Sequence, residues 1–570
     1  MNRKLFLSAV VLSTLLFFSC KNEGTKGLPI PKDASLIVHI DGSSLASKLS
    51  WKDIQQTQWF QDMSKKEQDS TTQKLLSDPE ASGVDAKSDF VFFMKQQGTG
   101  SYFVFEGKLK DAKDFEAMIT KLHEGKDIKI QKDGDLSYVQ QAGEGHMLAW
   151  NSSKFIFIGG APGNPMAQHF PHMNNGDTTE IVTQSQTNPD SLRTYVKNLL
   201  TLSKDNSMES NDRFKDLVTE KGDVHFWMNM EQYYSQMETA VSQNPFFSMM
   251  AKMNDMMKGN IATGTLSFDD GKITIKTKQY MSEQMKKIWD KYPTKNVSED
   301  LVNRIPSQNV TGVFVMNYPP EAMKELLRGM GMDGLINSFL GKVNFSLDEL
   351  VQAMKGQVVV AATDFTVTSV PHTVDIANGQ KYTFNSPSPD VKFLLAMSVN
   401  NKASFDKLIS VAESQLKDSS EKKALMSKIN YQTNNDWFAL SNSSQVVSGF
   451  LGGQKNNLPF ASRISGHPFG AYINIQKLIQ GFKGMTSEGN SGLFDASMNV
   501  WQDIVITGGD YKNGVSTGES TINFIDKNTN SLKQINQYIE KMYESKKNSE
   551  ANMMNPTVDS TVTAQPVPGK

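Results

Sequence analysis

His169 and His172, in QHFPHMNN, are the one closely spaced histidine pair in a chain of 570 residues with 8 histidines. Two imidazoles at that spacing could share a metal ion, but Pro171 between them opposes a helical arrangement. No neighbouring run of Asp, Glu or further His completes the three or four ligands that zinc takes. The segment therefore reads as a polar loop, with no metal and no cofactor expected. His39 and His225 lie in the apolar runs LIVHI and VHFWMN. When the strand-like segments of the chain are aligned, His39 falls where others carry Trp227, Val315 and Tyr472, and His225 where others carry Ile37, Val313 and Gly470. Both read as bulky strand positions rather than acid–base groups. There is no G-x-S-x-G elbow for a nucleophilic serine. The glycine-rich FIGGAPGNP (157–165) lacks phosphate-loop spacing, and Pro162 and Pro165 remove N–H donors that a phosphate cradle needs. No catalytic residue is assigned.

Cys20 is the single cysteine, so no intramolecular disulfide can form. It follows Arg3 and Lys4, an apolar run from Leu5 to Phe18, and the small residue Ser19, which is the layout of a secretory signal. The apolar run is shorter than the roughly twenty residues that a spanning helix needs. A cysteine at this point resembles a lipobox, with Phe18 standing where a small residue is usual. In that arrangement the thiol carries a diacylglyceryl group and the preceding peptide is removed. Residues 1–19 are thus expected to be a lipoprotein signal peptide, and residues 20–27 the lipidated cysteine and a spacer. The membrane is the first expected partner, through lipid on Cys20. The expected location is the cell envelope, at the outer membrane, with the periplasmic or exterior face left open.

A formal net charge of −2 gives no electrostatic footprint for nucleic acid. The segment NPFFSMMAKMNDMMKGN (244–260) places Phe246, Met249, Met250, Met253, Met256 and Met257 on one helical face. Methionine is flexible and polarizable, so these residues offer a surface for an envelope protein or an apolar ligand. The plainer reading is an amphipathic helix that covers a sheet. GMGMDGLINSFL (329–340) reads as a related, lid-like element.

Segments of similar design recur in the same order along the chain. IPKDASLIVHIDGSSLASKL (30–49) matches IPSQNVTGVFVMNYPPEAMKELL (305–327), each a strand, a polar cap and a helix. GHMLAWNSSKFIFIGG (145–160) matches DWFALSNSSQVVSGFLGG (436–453), each read as a hairpin around Asn-Ser-Ser. The pattern predicts an α+β fold that is internally duplicated, with two similar halves, each of antiparallel sheets packed with helices. The expected divisions are a first half over 28–296, a linker over 297–303, a second half over 304–548 and a disordered tail over 549–570. The segment 366–390 reads as a loop inserted in the second half. Asp41, Asn229, Asn317 and Asn474 follow their strands as N-caps of the next helix.

The cysteine, the spacer and the block IPKDASLIVHIDGSSLASKLSW, with Pro31, Asp33 and Ala34 in a P-x-D-A pattern, resemble the large Bacteroidota lipoproteins grouped only as a domain of unknown function. That resemblance implies a bacterial envelope protein and supplies no activity or catalytic residues. The expected function is a non-enzymatic binding or scaffold protein that uses the cleft between its halves. The alternative is an envelope-attached hydrolase acting on a polymer, with carboxylates too far apart in sequence to identify.

Overall fold

A computed structural model describes residues 27–66, 73, 76–97, 100–123, 129–140, 145–161, 189–232, 246–376, 380–416, 427–482 and 491–554. The signal segment, Cys20 and the His169–His172 pair lie outside the described residues. Eighteen strands among the described residues form one sheet in which every pairing is antiparallel. From one edge it runs β4 (Gln131–Asp133), β5 (Leu136–Val139), β6 (His146–Trp150), β7 (Lys154–Ala161), β3 (Gly100–Lys108), β2 (Phe90–Gln97), β1 (Leu36–Ile40), β8 (Val224–Asn229), β9 (Ile261–Asp269) and β10 (Lys272–Tyr280). It continues through β18 (Val515–Phe524), β17 (Trp501–Lys512), β16 (Phe469–Asn474), β11 (Val310–Asn317), β12 (Met354–Ile376), β13 (Gln380–Val399), β15 (Trp437–Ser441) and β14 (Asn430–Thr433).

This order corrects the expected architecture of two duplicated halves, each with its own sheet. β10 and β18 pair along their whole length, from Lys272 opposite Asn523 to Tyr280 opposite Val515. In separate halves each would present a row of unpaired N–H and C=O groups, and the seam satisfies both rows. Matched segments also diverge in structure. GHMLAWNSSKFIFIGG forms the expected hairpin of β6 and β7, with Asn151 Oδ1 accepting from Ser153 N and Lys154 N at 2.9 and 3.1 Å. In DWFALSNSSQVVSGFLGG the second expected strand is instead a helix, Ser444–Leu451. Val446, Val447 and Phe450 fall on one helical stripe there and are buried.

Helices cover both faces of the sheet. Among the early strands, Ile37, Val91, Val104, Ile156 and Trp227 lie on one face under the helices Pro189–Leu200 and Asp212–Thr219. On the opposite face Phe90 and Phe155 pack against Phe115 of the helix Ala112–Leu122. Gly107 permits this second layer, because a Cβ at that position would lie 2.7 Å from the Phe90 ring and 2.8 Å from that of Phe155. Among the later strands, Val313, Val315, Val359, Leu394, Ala396 and Val505 are buried with residues of the helices Glu299–Asn303, Ser444–Leu451 and Ala461–Ile464.

Three of the four expected caps are made. Asp41 Oδ1 accepts from Ser44 N at 2.8 Å, Asn229 Oδ1 from Gln232 N at 3.3 Å and Asn474 Oδ1 from Lys477 N at 2.9 Å. Asn317 does not cap, because the next helix, Pro320–Gly329, begins beyond it with Pro319 at its N-cap. The expected linker is packed structure: Leu301 and Val302 are buried, and Val297 exchanges backbone hydrogen bonds with Gly466 and His467. The expected tail begins inside the helix Ser531–Met554.

The segment read as an inserted loop is a two-stranded ribbon. β12 and β13 stay paired from Thr366–Asp390 out to Ile376–Gln380, beyond the last pairings of their flanking strands. A register shift between Thr363 and Thr366, with Asp364 at positive φ, marks the root of the ribbon.

Candidate functional site

Two places gather chemistry-bearing side chains. The first is sealed. His39 and His225 stand directly opposite each other on β1 and β8, both buried, with their Nδ1 atoms 3.0 Å apart. His225 Nε2 lies 2.9 Å from Glu220 O, an acceptor only, so Nε2 carries the proton and donates. In the neutral ring Nδ1 then accepts from His39 Nδ1–H, and burial, which pushes the His225 imidazole below its usual range, favours that neutral form. His39 Nε2 faces the buried Asp89 Oδ2 at 3.4 Å.

Beside them, burial pushes the Asp41 carboxyl up despite its bond to the Ser44 amide. Asp223, wholly buried, accepts from Lys48 Nζ at 2.7 and 2.6 Å, from Ser44 Oγ at 2.5 Å and from Phe268 N at 2.6 Å. The backbone explains the location: Asp41 N donates to Asp223 O at 2.9 Å, which locks the end of β1 to the start of β8. Both imidazoles are closed off from solvent, so this network organises the sheet rather than meeting a substrate.

The second place is open and apolar. Ile479 of the helix Ile475–Gly481, Phe482 at its end, Leu493, Phe494 and Ser497 of the helix Ser491–Met498, Trp501 of β17 and Tyr538 of the helix Ser531–Met554 line a cleft of about 410 Å³. Each wall has a local cause. Gln476 Nε2 donates to Met498 O at 2.6 Å and Trp501 O at 2.8 Å, tying the first two helices to β17. Trp501 packs at 4.8 Å on Phe524 and meets Tyr538 edge-on at 5.5 Å, both within the range of favourable aromatic pairs. Phe365, at the ribbon root, meets Phe482 at 5.0 Å.

The long helix is clamped from its other side by Gln58–Lys66. Glu540 accepts from Gln58 N and Trp59 N, while Lys547 and Tyr543 donate to Asp62 at 2.8 and 3.0 Å. The Lys547 bond is the main cause that holds the Asp62 carboxyl down at about 2. No charged side chain lines the cleft among the described residues. Two of its lining residues, Phe482 and Leu493, are exposed large apolar side chains.

Three of the methionines of the sequence's helical face can be placed. Met256 is buried, with its Cε where a Cβ on Gly329 would fall, and Met257 Sδ accepts from Asn260 Nδ2 at 3.0 Å. Met253 is half-buried, and the side chains of Met249 and Met250 lie outside the described residues. The lid-like segment contains the helix Asp333–Gly341, which exposes Leu335 and Phe339.

Neither the histidine pair nor the cleft was identified from sequence. His39 and His225 are 186 residues apart. Only the alternation of Ile37 with His39 and of His225 with Trp227 hints that both point inward. The cleft is built from three helices and a strand end that no spacing rule links.

Among the described residues no group of three or more His, Cys, Asp or Glu side chains is arranged to hold a metal ion, and no helix is long and apolar enough to cross a membrane. The chain belongs to the family described as a domain of unknown function (DUF4836), which matches residues 29–164 and 168–447. No curated protein and no solved structure matches it.

Proposed function

We propose that this chain is a non-enzymatic binding protein of the cell envelope, tethered at the outer membrane by lipid on Cys20, and that it holds a small apolar ligand in the cleft beneath Phe482 and Trp501. The observation that carries the reading is the cleft itself. Its volume lies in the range of small-molecule sites, its walls are aromatic and aliphatic, and its polar groups are few. The tether rests on the signal-like segment before Cys20. The spacer over 20–27 spans at most about 28 Å when extended. That reach keeps the body close to the bilayer.

The cleft is tested with N-phenyl-1-naphthylamine, whose fluorescence rises in apolar sites. The wild-type protein is expected to bind it, and Phe482→Lys, at a rim position open to solvent, should weaken binding at least tenfold in a protein that still unfolds cooperatively. Equal binding by a folded Phe482→Lys protein would sink the assignment. The tether is tested in cells by Cys20→Ala, expected to abolish labelling with palmitate and to release the protein from the membrane fraction. Undiminished labelling would overturn it.

A further inference from the structure

The two hydroxyls of the cleft constrain what can bind there. Ser497 Oγ lies 2.9 Å from Leu493 O and 2.8 Å from Tyr538 Oη. The carbonyl oxygen can only accept, so the single serine proton is committed to it. The Tyr538 proton must then point to Ser497 Oγ, since two hydroxyl oxygens cannot bond without one donating. Tyr538 Oη is left with acceptor capacity and no proton to give. In a wall otherwise built from Ile479, Phe482, Leu493, Phe494 and Trp501, this is a polar point of fixed sense.

We infer that the cleft selects neutral molecules with an apolar body and one hydrogen-bond donor, a hydroxyl or an amide N–H, seated on Tyr538 Oη. The inference rests on the cleft being a binding site and goes beyond that by naming the ligand's chemistry. A carboxylate is disfavoured twice: it brings only acceptors to an acceptor, and no cation lines the described walls to offset its desolvation. An ether or alkane of equal size fills the same volume and leaves Tyr538 Oη without a partner, which is the condition under which hydrogen-bonding sites discriminate.

The test is displacement of N-phenyl-1-naphthylamine from the full-length protein in detergent-free buffer by 1-decanol, its isomer 1-methoxynonane and, at pH 8, decanoate. Decanol is expected to bind about five- to tenfold more tightly than the ether, as one ordinary hydrogen bond supplies, and decanoate more weakly than decanol. Two variants separate the hydroxyl roles. Tyr538→Phe should collapse the alcohol-to-ether ratio to about one by weakening the alcohol. Ser497→Ala frees the tyrosine proton to donate, so the ratio should fall by strengthening the ether. Equal affinities for alcohol and ether in the wild-type protein, with the reporter still bound, would overturn the donor rule and leave the cleft standing. A wild-type protein that binds no reporter would overturn the cleft and this inference together.

Discussion

Asp223→Ala is expected to destabilise the protein by about 3 kcal/mol, seen as a lower urea midpoint. The carboxylate sits at the junction of β1 and β8 without solvent and accepts four hydrogen bonds, two from one ammonium. Removing one partner of a buried ion pair typically costs about 3–5 kcal/mol, because the other charge stays behind uncompensated. The Lys48 side chain is 20% exposed and can turn part of its ammonium to water, which places the cost at the lower end of that range. The Phe268 amide and the Ser44 hydroxyl would also lose their acceptor. Joint replacement, Lys48→Met with Asp223→Leu, should recover a large part of the loss, since the pair is replaced by apolar volume. An Asp223→Ala protein with the wild-type midpoint would show that the network contributes nothing.

Glu106→Met is expected to act in the opposite direction. Glu106 lies on β3 between Val91 and Ile156, wholly buried, and among the described residues neither carboxyl oxygen has a hydrogen-bond partner. Burial pushes its carboxyl well above the usual range, and the nearby Lys154 pulls it down only in part. The fold therefore keeps a proton that the unfolded chain releases once pH exceeds the ordinary glutamate range.

In that window the native state binds more protons than the unfolded state, so stability falls as pH rises, by up to about 1.4 kcal/mol per pH unit. The fall ends where the folded carboxyl itself ionises. Methionine has similar reach and no proton to hold, so the variant should be more stable at neutral pH and should lack this part of the slope. Urea midpoints at several pH values from 5 to 8 measure it, and parallel slopes for the two proteins would refute the account.

These two positions also show what the sequence could and could not convey. In SYFVFEGKLK the alternation places Glu106 on the same side of the strand as Val104, yet a charged residue in a strand ordinarily marks a solvated face. It is buried because helices cover both faces here, a fact about partners rather than about the strand. Local rules served well where the cause was local: the Asp41 and Asn474 caps and the Asn151 hairpin follow from residues within one helical turn of one another. They failed where a short apolar run fits a buried helix as well as a strand, as for Ser444–Leu451, or where a proline displaced a helix start, as after Asn317. The pairing of β10 with β18 and of β1 with β8 joins residues far apart in the chain. Recurring segments suggested two separate halves, whereas one sheet runs through all of them. The candidate cleft was not legible at all, since its walls come from elements whose common packing is decided by the whole sheet.

The seam between β10 and β18 also governs the order of folding. Tyr280 is made long before its partner Val515. At ordinary rates of chain synthesis the interval between them is on the order of ten to fifty seconds. Throughout it the first ten strands can pair among themselves, but β10 has a bare edge open to any other extended chain. The composition of KITIKTKQY suits that wait: Lys272, Lys276 and Lys278 put three positive charges along a strand that will end at the centre of the sheet. Lysine on an edge repels a second copy and discourages edge-to-edge association. The lysines of β10 are thus a guard for an unfinished protein, kept in a finished one where Lys276 faces Glu519 across the closed seam.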